Sequence, residues 1–166
     1  VGVIFIFHPW LGWFAVTRHP VESIWSSYQR TMQVAEAGNL DQFKKPYRTY
    51  LETTLACRDF EEYARSKWIA DNNVGIKRGG FWHTYCCDWY GTPLPVRMLR
   101  FENLASDWRA LIRDWDLPKI EPSRVNSSGV AFERGMVSDG IWGEILDFCW
   151  RDGVGFGYAS SAPAIR

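Results

Sequence analysis

The stretch "VTRHPVESIWSSYQR", residues 16–30, puts a permanent cation where a strand stops and a helix begins. The apolar run "FAVT", 14–17, ends at Arg18, and Pro20 follows two residues later. Proline suits the first helical position, because its missing N–H is one the helix does not use. Glu22 then falls in the first turn, where a negative charge meets the positive end of the helix dipole. Val21, Ile24, Trp25 and Tyr28 recur at i, i+3, i+4 and i+7, which makes one apolar stripe. Ser23, Ser26, Ser27 and Arg30 lie on another face. The spacing predicts a helix from Pro20 with its serines on a different face from the apolar stripe.

In α/β sheets, ligands bind beyond the carboxyl ends of the strands. Arg18 stands at such an end and offers a fork of donors suited to phosphate. The helix behind it adds free N–H groups and a positive dipole end. Ser26 lies roughly 9 Å along the axis from Pro20 at helical rise. An anion lying against the flank of the first two turns would reach both Arg18 and Ser26. The ordinary alternative is an arginine held in an ion pair at a strand end, beside serines on a solvated face.

Working outward, "VIFIF", 3–7, has strand length, and "HPWLGW" interrupts it with Pro9 and Gly12. Both N-terminal runs are apolar at successive positions, as strands buried on two faces of a parallel sheet are. Residues 37–48 hold Gly38 and Pro46 and read as a connection. A helix is expected over 59–70, through Phe60, Tyr63, Ala64 and Trp68. Another is expected over 79–90, with Phe81, Trp82, Tyr85 and Trp89 packed into the core. "VRMLRF", 96–101, is the next strand. A helix then carries Trp108, Leu111, Ile112 and Trp115 on one face, with Ser106 as its N-cap and Pro118 closing it. Residues 121–135 read as a loop, 138–150 as a last helix, and the end of the chain as glycine-rich and then frayed. Alternation of strands and helices argues for an α/β fold with a largely parallel sheet.

The bulk numbers set bounds. The chain has 166 residues, enough for one core, and its formal net charge is zero. No global field attracts nucleic acid or an acidic membrane. There is no repeat, no signal peptide and no apolar run of membrane-spanning length. The four cysteines lack paired CxxC spacing. His83, Cys86 and Cys87 share one helix face at i, i+3 and i+4, but no fourth ligand joins them. Ordinary thiols are the plainer reading, and no metal is expected.

Three segments carry a family resemblance. "RHPVESIWSSYQR" resembles the 3′-phosphate-binding motif of PAPS-dependent sulfotransferases, with Arg18, Pro20 and Ser26 in its spacing. The tryptophan before the serine looks most like the Golgi, WSC-domain-associated branch and its algal relatives. "VRMLRFENLASDWRALIRDWDLP" resembles the family's strand, acidic turn and helix, with Phe101 where an aromatic lines the adenine site. Asn103 departs from the usual aspartate. "FERGMVSD", 132–139, resembles the family's loop on the 3′-phosphate at Arg134 and Gly135, with Glu133 in place of a basic residue. "GFGY" resembles a common C-terminal motif of bacterial and algal members.

The resemblance implies a three-layer, P-loop-NTPase-like fold with a mostly parallel sheet flanked by helices. It implies a partial sulfotransferase domain over 1–158 and a tail over 159–166, since the family's phosphosulfate loop is not found and the chain starts at Val1. It implies transfer of a sulfuryl group from 3′-phosphoadenosine 5′-phosphosulfate (PAPS) to a hydroxyl or amine, with carbohydrate or glycoprotein among the acceptors. Arg18, Ser26, Phe101, Arg134 and Gly135 would bind the donor, and no catalytic base is assigned. The alternative is an inactive nucleotide- or partner-binding fragment of the same fold. A P-loop kinase would need a Walker lysine, and no GxxxxGK[ST] is present. No nucleic acid partner is expected, and no membrane contact from this segment itself. By resemblance the location is the Golgi lumen or membrane, with the cytoplasm as alternative. Asn126-Ser127-Ser128 is a glycosylation sequon compatible with the former.

Overall fold

The strand that ends at Arg18 is the middle one of a three-stranded sheet. β2 (Gly12–Thr17) lies between β1 (Ile4–His8) and β3 (Val96–Arg100). The computed structural model describes residues 4–8, 12–38, 40–69, 80–120 and 132–158. The sequon at 126–128, the tail at 159–166 and the side chain of His83 lie outside the described residues.

β1 runs antiparallel to β2, with Ile4 opposite Val16 and His8 opposite Gly12. The expectation of a largely parallel sheet is corrected here. Only residues 9–11 separate the two strands, and a parallel crossover needs a dozen or more. A hairpin is the connection that fits. Gly12 starts β2 at φ +101°, a backbone region that favours glycine. β3 is parallel to β2, with Trp13 opposite Val96 and Thr17 opposite Arg100. Phe14, Leu99 and Leu111 form a small buried cluster under this pair, with Trp108 and Trp115 packed against it.

Seven helices accompany the sheet among the described residues, so the fold is α/β and mostly helical. They are α1 (Pro20–Glu36), α2 (Lys45–Leu55), α3 (Phe60–Tyr63, continuing as a π-helical stretch Ala64–Ile69), α4 (Gly80–Cys86), α5 (Leu104–Asp114), α6 (Asp139–Phe148) and α7 (Trp150–Gly155). The predicted start at Pro20 holds, and Val21 and Ile24 are fully buried. Asp59 caps α3, accepting from the Glu62 N–H at 2.9 Å.

Four expectations are overturned. The connection over 37–48 contains the start of α2, where Pro46 occupies the first turn as Pro20 does in α1. The helix expected over 79–90 stops at Cys86, and Trp89 is 95% exposed in the turn that follows. Asp88 makes that turn, since its Oδ1 accepts from the Tyr90 and Thr92 N–H groups. Ser106 is inside α5, whose N-cap is Asn103. The Ser106 hydroxyl donates back to the Asn103 carbonyl at 2.8 Å. The helix expected over 138–150 is not the last: it breaks at Cys149, and the chain continues as α7 into the glycine-rich stretch. Buried Asp152 explains that order: its carboxylate accepts from the Trp82 N–H at 2.8 Å and ties α7 to α4. The buried thiols of Cys86 and Cys149 are pushed up to about 11 and about 12, chiefly by desolvation.

The larger core joins Val21 and Ile24 of α1 to Phe60, Tyr63 and Trp68 and to Ile141 and Ile145 of α6. One buried hydroxyl organises its polar contacts. Tyr63 Oη lies 2.7 Å from Tyr50 Oη and 3.2 Å from Ser27 Oγ, and accepts from Trp68 Nε1 at 3.2 Å. Burial pushes this phenol above its ordinary range. Tyr63→Phe strands these partners, so it should cost about 1–3 kcal/mol. Urea unfolding monitored by circular dichroism measures it, and an unchanged midpoint would contradict the network.

Candidate functional site

Thr17 and Arg100 are register partners, so the residues after them, Arg18 and Phe101, leave the sheet side by side. The Arg18 guanidinium lies over the Phe101 ring, 4.6 Å from its centroid. Its Nε donates to Glu22 Oε2 at 3.4 Å, a long contact across the strand–helix junction. Both side chains keep 24% of their surface exposed.

Glu102 binds the next layer together. Its Oε1 accepts from the backbone N–H of His19, the N-cap of α1, at 2.8 Å. Its Oε2 accepts from the Tyr158 phenol, also at 2.8 Å. Tyr158 arrives from the C-terminal segment beyond α7. Arg100 Nη2 anchors that segment by donating to the Gly157 carbonyl at 2.7 Å. Gly157 sits at φ +72°, in the left-handed region, so a side chain there would strain the turn.

His19 connects these residues to α6. Its ring stacks on Trp142 with centroids 4.8 Å apart and meets Tyr158 edge-on at 5.4 Å. Trp142 in turn carries the Arg134 guanidinium, 4.2 Å from its ring centroid. Arg134 Nη1 donates to the Val137 carbonyl at 2.7 Å, and Nη2 pairs with Asp139.

The electrostatics are mixed. Burial among aromatics lowers the His19 pKa, against the pull of Glu102, so this ring is neutral near pH 7 and adds no positive charge. Burial, then the Glu102 charge, raises the Glu22 pKa, and Arg18 opposes them. Burial raises that of the Tyr158 phenol too. The fixed cations at this edge are therefore Arg18, Arg100 and Arg134, set among the carboxylates of Glu22, Glu102 and Asp139.

Of the residues singled out in the sequence, Arg18 and Phe101 touch, and Arg134 joins them through Trp142 and His19. Gly135 follows Arg134 in the turn Arg134–Met136. A Cβ there would meet nothing within 4 Å, so neither packing nor φ demands glycine. Ser26 is half-buried on α1, one turn beyond Glu22 on the same face. No hydrogen bond joins it to Arg18 among the described residues. Glu102, His19, Trp142 and Tyr158 were not singled out for the site. Glu102 and Tyr158 do lie inside the motif-like stretches "RFENL" and "GFGY". Trp142 carries no signal that separates it from a core tryptophan.

A separate cavity of about 230 Å³ opens between α4 and α7, lined by residues including Trp82, Cys87, Trp150, Arg151 and Val154. It shares no lining residue with the strand-end cluster. Compared with protein-family models, with curated proteins and with solved structures, the chain matches none.

The lowered His19 pKa has a pH consequence. Its contribution to stability is complete above its ordinary value of 6.5 and is lost as pH falls below it, because folding disfavours the cation. The His19 ring should titrate below 6.5 when followed by NMR, and Trp142→Ala should return the midpoint toward 6.5. A midpoint at or above 6.5 in the native chain would contradict the stacked, desolvated ring.

Proposed function

We propose that this chain is a PAPS-dependent sulfotransferase domain of P-loop-like, three-layer fold, and that its donor site is the carboxyl edge of β2 and β3. One observation carries the reading. Motif-like segments separated by most of the chain meet at one edge: Arg18 over Phe101, Arg134 through Trp142 to His19, and Tyr158 through Glu102.

The chemistry of the residues fits an adenosine carrying a 3′-phosphate. Arg18 spends only Nε on Glu22 among its described hydrogen bonds, and the contact is long. Its fork suits bidentate phosphate contact. The Ser26 hydroxyl, further along the same flank of α1, is a donor for a phosphate oxygen. Phe101 is 48% exposed, so its ring has surface left for a base while backing the guanidinium. Arg134 and the open space at Gly135 allow backbone to approach the same ligand. PAPS would supply the sulfuryl group to an acceptor hydroxyl or amine. The chain's own share is to hold the donor's adenosine and 3′-phosphate in a fixed pose, since positioning provides much of such catalysis. Neutral His19 acts here as a positioning residue, wedged between Trp142 and Tyr158.

Calorimetric titration with 3′-phosphoadenosine 5′-phosphate tests the reading. The chain should bind it, and Arg18→Ala should weaken binding roughly 10- to 150-fold, the loss of one charge-assisted contact of about 1.5–3 kcal/mol. Arg18→Lys should recover only part, because a point charge cannot replace the fork. A well-folded chain that ignores the nucleotide, or an Arg18→Ala variant that binds it equally well, would overturn the proposal.

A further inference from the structure

The strand-end cluster holds more negative charge than a phosphate site needs. Glu22 Oε2 already sits 3.4 Å from Arg18 Nε. Glu102, from the β3 end, acts electrostatically on the same Glu22 and is fixed in place by the His19 N–H and the Tyr158 phenol. Glu102 therefore cannot swing away without giving up two hydrogen bonds of 2.8 Å. Glu22 has no such tether. Its described contact is the long one to Arg18, and it keeps a quarter of its surface in water.

An anion brought to Arg18 meets this arrangement in a definite order of cost. It competes with Glu22 for the guanidinium and is repelled by both carboxylates. Repulsion between unit charges a few ångströms apart at a half-buried site is large compared with thermal energy. Of the two, Glu22 can relieve it most cheaply, by taking a proton. The other charged or titratable groups near this edge do not offer that route. Arg18 and Arg100 are permanently charged, the neutral His19 ring is enclosed by Trp142 and Tyr158, and Tyr158 already donates its proton to Glu102. On the α6 side, Asp139 is paired with Arg134.

We propose that Glu22 is a proton-linked gate on the Arg18 site: an anion joins Arg18 together with a proton that passes from solvent to the Glu22 carboxylate. The proposal rests on the assignment of Arg18 as an anion site and goes beyond it. The affinity for a phosphate-bearing ligand then rises as pH falls below neutrality, opposite to what a histidine-free, carboxylate-free arginine site would show. Burial and the Glu102 charge already shift Glu22 in the direction that makes the uptake easy.

The experiment is calorimetry of the full chain with 3′-phosphoadenosine 5′-phosphate in two buffers of different ionisation enthalpy, at pH 6 to 8. Native chain should take up a proton, approaching about one per nucleotide near neutral pH. Glu22→Gln should remove the Glu22 share of the uptake and bind roughly tenfold or more tightly at pH 7.5. Proton uptake by the ligand's own phosphate would persist in Glu22→Gln and is thereby separated. In parallel, the Glu22 carboxyl carbon of the unmutated chain, followed by NMR, should titrate at higher pH with nucleotide than without. Binding with no proton exchange, an unmoved Glu22 midpoint, or weaker binding by a folded Glu22→Gln chain would overturn the gate and leave the nucleotide site standing. Absence of binding in both chains would overturn the nucleotide site and the gate with it.

Discussion

Thr17 faces Arg100 across the parallel pair, and that register decides which side chains leave the sheet together. One residue on, Arg18 lies over Phe101. Two residues on, the His19 N–H meets the Glu102 carboxylate. A slip of one position would send the side chains of one strand to the opposite face and separate every one of these pairs. The register is held from below. Phe14 and Leu99 are buried from the two strands and pack on Leu111 of α5, so a slip would pull one of them out of that cluster. Packing in the small core thus sets the geometry of a charged edge several residues away.

The second half of the chain contributes by closing that edge. Buried Asp152 fastens α7 to the start of α4, and Phe156, 3% exposed, meets Trp82 at 5.6 Å. These contacts fix where the chain emerges from α7. Gly157 then turns it, with its carbonyl on Arg100, and Tyr158 reaches Glu102. The result is an edge built from four stretches remote in sequence, in which donors from one stretch meet acceptors from another. Three arginines and three carboxylates stand close together, which gives an edge able to hold an anion but not one that holds it without cost.

Much of this was legible where a local rule applied. Pro20 and the stripe Val21, Ile24, Trp25 and Tyr28 give α1 from its first residue, because a proline start and a 3.6-residue period act within one helix. The strand at 96–100 and the arginine at the end of β2 were legible in the same way. The direction of β1 was misread because two successive apolar runs look alike in either sense, although the gap of residues 9–11 already forbids a parallel crossover. α2 was missed because Pro46 breaks a helix in one place and starts it in another, and only tertiary packing of Leu51 and Thr54 decides. Trp89 illustrates the limit of periodicity: it keeps helical spacing with Phe81, Trp82 and Tyr85, yet the Asp88 turn ends the helix first. At the site, Arg18 could be named from its position at a strand end, and Phe101 only from the resemblance of its segment to a family motif. Trp142 and the bridging role of Glu102 could not, since both depend on which distant segment packs against them.

The proposed donor site places a 3′-phosphorylated adenosine at the carboxyl edge of β2 and β3. A crystal structure of the chain with 3′-phosphoadenosine 5′-phosphate tests it most directly. A phosphate within hydrogen-bond reach of the Arg18 guanidinium, with the adenine on the Phe101 side of the edge, is the expected result. A nucleotide lodged elsewhere, such as the cavity between α4 and α7, with the Arg18–Glu22 pair undisturbed, would contradict it.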